Sequence, residues 1–147
     1  METTYRIIDR LNEHHVPQLM DLYRAEWWTR TRTVEQVRDV LKWSDLAMGL
    51  CSVPGERLVA FARVLTDRTF KALIFDVIVA SDHRGRGAGH RLLGAVLANP
   101  LLKQVEHVEL YCRPELVTFY EEFGFRSPDS GVLLMRRSAA GSRERGD

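Results

Sequence analysis

Cysteine is scarce in this chain: Cys51 and Cys112 are the only two in 147 residues. Two thiols cannot build the disulfide framework of a small secreted domain, so buried, reduced cysteines are the expectation. Long apolar runs are missing as well. No stretch approaches the ~20 residues of a membrane span, and the N-terminal METTYRIIDR is polar and mixed, unlike a secretory leader. Charge of one sign is not in excess. A net charge of +1 gives no general attraction to nucleic acid or to an anionic membrane. The only basic segment with aromatic partners, Trp27 to Arg32, is too short for a nucleic-acid surface. Metal-ligand spacing of Cys and His is absent, and so is any internal repeat. These absences leave a cytoplasmic globular protein. Its 45% apolar and 28% charged residues are ordinary, and its length suits one domain with its own core.

The stretch FDVIVASDHRGRGAGHRLLGAVL, Phe75 to Leu97, organises the rest. Phe75 to Val79 is apolar and β-branched apart from Asp76, the pattern of a buried strand. Ser81, Asp82 and the glycines at 85, 87 and 89 end it, and Leu92, Leu93, Val96 and Leu97 then recur at helical spacing. Three glycines in five residues let backbone approach a ligand closely. The helix that follows points unpaired N–H groups and its positive dipole end into that turn. Arg84 and Arg86 add charge, so the turn is a candidate pyrophosphate cradle. Two other phosphate loops are excluded. A Walker A loop needs a Gly-Lys-Ser/Thr triplet, which the chain lacks. The dinucleotide fingerprint GxGxxG fails because its last glycine falls on His90 or Leu92.

Before this stretch, Tyr5 to Asp9 reads as an edge strand. Asn12 caps a helix from Glu13 to Glu26, in which Pro17 falls near the first turn. Thr33 and Gln36 form a capping box for a helix ending near Trp43. Ala47 to Val53 and Leu58 to Leu65 are strands joined by Pro54-Gly55-Glu56-Arg57, and Asp67-Arg68 turns the chain into the strand Lys71 to Val79. There strict alternation puts Leu73, Phe75, Val77 and Val79 on one face and Ile74, Asp76 and Ile78 on the other. An ionised Asp76 among apolar neighbours needs a partner, either an arginine or the backbone, or else serves the reaction. After the glycine turn and its helix, His107 to Cys112 reads as a strand with His107, Glu109 and Tyr111 on one face. Pro114 opens a helix ending at Gly124, and Val132 to Met135 is a last short strand. Residues 138–147 read as a disordered tail.

Two motifs carry a resemblance. Arg84-Gly85-Arg86-Gly87-Ala88-Gly89 fits (Q/R)xxGx(G/A), the pyrophosphate motif of the GNAT superfamily of acetyl-CoA-dependent N-acyltransferases. Phe119-Tyr120-Glu121-Glu122-Phe123-Gly124-Phe125 resembles that family's FYxxxGF segment. The two occur in the family's order, and the likeness covers about Arg6 to Arg137. It implies an α/β (α+β) GNAT fold: a mostly antiparallel mixed sheet of six to seven strands, splayed between the fourth and fifth, with about four helices. It also implies one domain over residues 1–137. By this resemblance acetyl-CoA is the co-substrate, with no metal. Its pyrophosphate would meet Arg84, Gly85, Arg86, Gly87, Ala88 and Gly89, and its pantetheine arm the backbone of Val77, Ile78 and Val79. Tyr120 would contact the cofactor and protonate the leaving thiolate. One departure stands out: where many members carry NxxAxxFY, this chain has Arg113 and Leu116 in place of the asparagine and alanine.

The implied activity is acetyl transfer to a primary amine of a small molecule by direct attack in a ternary complex. An amine with a pKa of ~10.4 must lose a proton first, and Asp76 is the candidate base. The backbone N–H of Val77 is the candidate oxyanion donor. Trp27, Trp28, Asp76, Glu109 and Tyr111 are the candidate acceptor-site residues, while Arg30 and Arg32 would fit an acidic acceptor. Three alternatives stand beside this activity: a catalytically silent acyl-CoA sensor, an acetyltransferase of protein lysines or N-termini, and a covalent route through Cys112. No residue demonstrates a homodimer, although the family commonly forms them.

Overall fold

The computed structural model describes residues 3–141, so the last part of the expected 138–147 tail lies outside the described residues. The chain divides into two compact units, one through Leu110 and one from Tyr111 onward.

The first unit is a five-stranded sheet with three helices. In chain order it runs β1 (Thr4–Ile8), α1 (Val16–Ala25), α2 (Val34–Trp43), β2 (Leu46–Val53), β3 (Leu58–Thr66), β4 (Lys71–Val79), α3 (Ala88–Ala98) and β5 (His107–Leu110). Strand order follows sequence order, β1-β2-β3-β4-β5, antiparallel until β5 joins β4 in parallel. The parallel step is possible because α3 lies between those strands in sequence and carries the chain back. α1 packs on β3 and β4, and α3 on β2, β3 and β4. Coverage of both faces explains why β3 buries five successive residues, Leu58 to Ala62, where a half-solvated strand would alternate. Each apolar side chain of the size of Leu19, Leu50 or Phe61 taken out of water contributes roughly 1.5–3 kcal/mol.

Helix ends follow the capping chemistry. Thr33 Oγ1 accepts from the Gln36 N–H, and the Gln36 side chain accepts from the Thr33 N–H. Asn12 caps a single 3₁₀ turn, Glu13–His15, and α1 begins only at Val16, three residues later than expected. Pro17 then sits in the first turn of α1, where its missing N–H costs nothing. The β3–β4 turn is held by Asp67, whose Oδ1 accepts the N–H groups of Thr69, Phe70 and Lys71.

The central strand departs from strict alternation. Phe61 pairs with Ile78 and Arg63 with Phe75, so two steps on β3 face three on β4, a β-bulge. Phe61 and Arg63 share a face of β3, and their partners Ile78 and Phe75 therefore share the same face of β4. The sequence pattern had placed Phe75 and Ile78 on opposite faces. Asp76 takes up the extra residue with φ +56, a left-handed conformation rarely adopted outside glycine. The strain is of order 1–3 kcal/mol and has to be held by neighbouring contacts.

The second unit holds a turn, Pro114–Leu116, and the short helix α4 (Val117–Glu121). The strand expected over His107 to Cys112 ends at Leu110. Two further expectations change. The described residues contain five strands rather than six to seven, and Val132 to Met135 forms no strand. Its four side chains are exposed, and no other described strand of its unit offers an edge to pair with. Cys51 is buried as expected, while Cys112 is exposed; both are free thiols.

Candidate active site

Two parts of the first unit gather the predicted site residues. The first is the turn between β4 and α3. The flanks are tied to separate elements: the His83 ring meets the Tyr5 hydroxyl of β1 at 2.9 Å, and Arg57, just before β3, donates to Asp82 at 2.7 and 3.0 Å. The Arg57 hydrogen bond holds the Asp82 carboxyl well below its usual range. Arg84 donates to Glu26 at 2.7 Å and to the Val79 carbonyl at 3.3 Å, which pins the turn to the end of α1. Arg86 Nη1 donates to Thr3 Oγ1 at 3.1 Å. Both arginine side chains thus brace the turn, a use the sequence alone did not indicate.

Between those braces the backbone is open. Gly85 and Gly87 have φ of +74 and +79, and a Cβ at either position would meet nothing within 4 Å. Gly87 is the N-cap of α3 and has no side chain to cap with, so the first N–H groups of the helix stay available. Ala88 is buried beneath them. An exposed turn of left-handed glycines at a helix N-terminus has the donor set that a pyrophosphate requires, and the residues present fit the phosphate end of acetyl-CoA. Next to it, the β4–β5 ladder pairs Lys71 to Ile74 with His107 to Leu110 and stops. Val77, Ile78 and Val79 lie beyond it, on a stretch of β4 that β5 does not pair with. The pairing stops there because β5 itself ends at Leu110.

The second part is built around the bulge. Asp76 Oδ2 accepts from Tyr23 Oη at 2.9 Å, from Arg32 Nη1 at 2.5 Å and from Arg63 Nε at 2.6 Å, and Oδ1 accepts from Arg32 Nη2 at 3.1 Å. Tyr23 comes from α1, Arg32 from the α1–α2 connection and Arg63 from β3. The Arg32 guanidinium lies 4.7 Å over the Tyr23 ring and that of Arg63 lies 4.9 Å over Phe75, as cation–π contacts. Tyr23 also packs edge-on against Phe61, the residue paired with Ile78. Burial would push the Asp76 carboxyl up, but the hydrogen bonds and charge of Arg32 and Arg63 prevail and hold it below the usual carboxylate range. Burial, reinforced by the charge of Asp76, drives the Tyr23 hydroxyl far above its ordinary value, so it stays a donor. The carboxylate is ionised and its oxygens are taken.

The other candidates scatter. Trp27 is 47% exposed and Trp28 half-buried, both in the α1–α2 connection. There Thr29 is fully buried, its hydroxyl donating to the Tyr23 carbonyl at 2.8 Å. Arg32 is the member of that segment which reaches Asp76; Arg30 is exposed. Glu109 pairs in register with Leu73, and so shares the face of Phe75. It is engaged by Lys71 Nζ at 3.0 Å, nearer the start of β4. Tyr111 and Tyr120 belong to the second unit. Tyr111 is exposed beyond the end of β5, and Tyr120 is buried on α4 with Phe119 and Phe125 packed edge-on to its ring. Burial, with the Cys112 thiol adding to it, pushes the Tyr120 hydroxyl up to about 12. Among the described residues no group of three or more His, Cys, Asp or Glu could hold a metal ion, and no helix is long and apolar enough to cross a membrane.

Tyr23 and Arg63 are cluster members that sequence reasoning passed over. A signal existed for Arg63: a lone arginine in the apolar run LVAFARVL and a lone aspartate in the next strand are candidates for a cross-strand pair. Tyr23 gave none, since it reads as one more member of the apolar face of α1.

Comparison with known proteins settles the family. Residues 20–132 match the family model described as an acetyltransferase (GNAT) domain. The chain belongs to the GNAT superfamily. It is 32% identical over 132 residues to the uncharacterized N-acetyltransferase ycf52 of Porphyra purpurea, covering 85% of this chain and 71% of that protein. Over 80 residues it is 30% identical to histone acetyltransferase TAP1 of Glycine max, 54% of this chain and 35% of that one. A solved protein assigned to the GNAT family from Xanthomonas campestris pv. campestris superposes with a TM-score of 0.76 at 26% identity, covering 96% and 97% of the two chains. This GNAT chain is therefore an acyltransferase of the N-acetyltransferase type, from a family that uses acetyl-CoA as co-substrate.

Proposed function

We propose that this chain moves the acetyl group of acetyl-CoA to a primary amine of a small molecule by direct attack in a ternary complex. The observation that carries the reading is the turn of left-handed glycines at the start of α3, beside a stretch of β4 that β5 leaves unpaired. Backbone N–H groups from Gly85 to Gly89 hold the pyrophosphate. Val77 to Val79 present backbone donors and acceptors to the pantetheine amides, as an edge strand does to an added strand. Bound acetyl-CoA supplies an activated thioester, and the Val77 N–H donates to its carbonyl oxygen.

Tyr120 is the proton donor to the departing sulfur. With its hydroxyl pushed up to about 12 it remains protonated throughout the working pH range. It is also a weaker acid than free tyrosine, so transfer accompanies C–S cleavage rather than preceding it. Asp76, the candidate base, has its oxygens occupied by two arginines and a tyrosine, and their hold on its negative charge makes it a weak one. Proton removal therefore runs through water beside Asp76, and the carboxylate's larger task is to fix Arg32 and Arg63.

The test is thiol release from acetyl-CoA across a panel of amines, together with thermal stabilisation by acetyl-CoA. Stabilisation with release from one amine class supports the reading. Stabilisation without release from any small amine moves the assignment to an acyl-CoA sensor or to a protein acceptor, which the likeness to TAP1 favours. In the enzyme, Tyr120→Phe lowers turnover on the order of a hundredfold or more while acetyl-CoA stabilisation persists; unchanged turnover removes Tyr120 as the acid.

A further inference from the structure

The Asp76 cluster is unbalanced. One carboxylate faces two guanidinium groups, leaving one positive charge in excess on side chains that are mostly buried, at 20% exposure for Arg32 and 16% for Arg63. Asp76 Oδ2 already accepts three donors and Oδ1 one, and its single negative charge is shared between the two guanidinium groups. Arg63 uses only Nε. Its Nη1 and Nη2 meet no hydrogen-bond acceptor among the described residues. The guanidinium plane is nonetheless fixed, by Nε on Asp76 and by its stacking 4.9 Å over Phe75. A fixed, poorly solvated guanidinium with two unspent donors in a fork matches a planar oxyanion. An uncompensated buried charge is costly unless a counter-charge arrives.

We propose that Arg63, held by Asp76 and seconded by Arg32, selects an acceptor amine that also carries a carboxylate. The inference rests on the reading that this chain acetylates a small amine, and it adds the substrate class. A single carboxylate balances the one excess positive charge, whereas a phosphate monoester overshoots it and a cationic amine adds to it. The Arg63 fork takes the carboxylate in a bidentate pair, and the bulge at Asp76 is what sets that fork on the face of β4 that carries Phe75. Arg63 acts here as a specificity determinant, with no part in bond making.

The test compares thiol release with four small amines: β-alanine, propanolamine, phosphoethanolamine and putrescine. The expected result is a kcat/KM for β-alanine above that for propanolamine on the order of tenfold to a hundredfold, the worth of a charge-assisted pair in a poorly solvated site. Arg63→Met should erase that preference by raising KM for β-alanine, leaving KM for acetyl-CoA unchanged, and Arg63→Lys should restore part of it. Propanolamine, putrescine or phosphoethanolamine used as well as β-alanine would overturn the inference and leave the transferase reading standing. No release from these four with release from another small amine that lacks a carboxylate would overturn the inference alone. Acetyl-CoA stabilisation with no release from any small amine of the wider panel would sink the small-amine reading and this inference with it. Arg63 also holds Asp76, so Arg63→Met can lose stability; the wild-type panel decides the matter without any variant.

Discussion

The charged cluster around Asp76 and the glycine turn before α3 lie on either side of the last residues of β4, Val77 to Val79, and they are built by opposite means. In the turn, side chains serve as braces and the backbone faces the ligand: Arg84 and Arg86 are anchored to Glu26 and Thr3, while Gly85 and Gly87 leave open space where a Cβ would stand. In the cluster the backbone is strained and the side chains carry the chemistry, with Asp76 at φ +56 and four donor groups from three separate elements converging on its carboxylate. A backbone site can be specified by a run of six residues. A side-chain site of this kind needs α1, the α1–α2 connection, β3 and β4 all in place. The turn should therefore tolerate loss of side chains and reject their addition, and the cluster should do the reverse.

The largest effect is expected at Asp76. Asp76→Ala leaves two guanidinium groups and a phenol without their shared acceptor, and removing one partner of a buried ion pair costs ~3–5 kcal/mol. Urea unfolding should show the midpoint falling with little change in slope. The pH dependence supplies an independent sign. Asp76 has a folded-state pKa below its unfolded value of ~3.9, so its stabilisation is fully present above that value and is lost as pH falls through the folded one. The gap between wild type and Asp76→Ala should hold steady from neutrality down to about pH 4 and narrow below it. A gap that closes at higher pH would mean that the arginines do not control this carboxylate.

Gly87→Trp should cost less in folding and more in binding. The left-handed φ of +79 penalises any side chain by roughly 1–2 kcal/mol, but nothing in the fold occupies the space a side chain would enter. What occupies it, on the pyrophosphate reading, is the ligand. Calorimetric titration should show acetyl-CoA affinity down by about a hundredfold or more, equivalent to ~2.7 kcal/mol. A variant that folds and binds acetyl-CoA as tightly as wild type would remove the pyrophosphate from this turn.

The same contrast explains what could be read from the sequence. The glycine turn, the strand before it, the helix after it and the antiparallel run of β1 to β4 are local patterns, and each stands close to where the pattern put it. The bulge was not legible, because alternation of apolar residues in FDVIV is equally good with or without an extra residue, and only pairing with β3 reveals the shift. Arg32 stands out in the sequence for its charge and Asp76 for its isolation among apolar residues. Nothing local tied them together across 44 residues, or named Tyr23 as the third member. Val132 to Met135 failed for a related reason: a run of strand-forming residues predicts a strand only where an edge is offered to it.

The smallest effect, and the sharpest check on the contrast, is expected at Arg84. It is the first residue of the glycine motif and carries the positive charge that a phosphate attracts. Its guanidinium is already committed to Glu26 at 2.7 Å and the Val79 carbonyl at 3.3 Å. The pair with Glu26 is largely solvent-exposed on the arginine side, so Arg84→Ala should lower stability by ~0.5 kcal/mol, within the range of surface ion pairs. Acetyl-CoA affinity should fall by less than about fivefold, since the donors that meet the pyrophosphate are backbone N–H groups and the brace loses at most ~1 kcal/mol. A loss as large as that of Gly87→Trp would show that Arg84 releases Glu26 and turns its charge onto the ligand. The turn would then be a side-chain site after all, and the distinction between the turn and the cluster would fail.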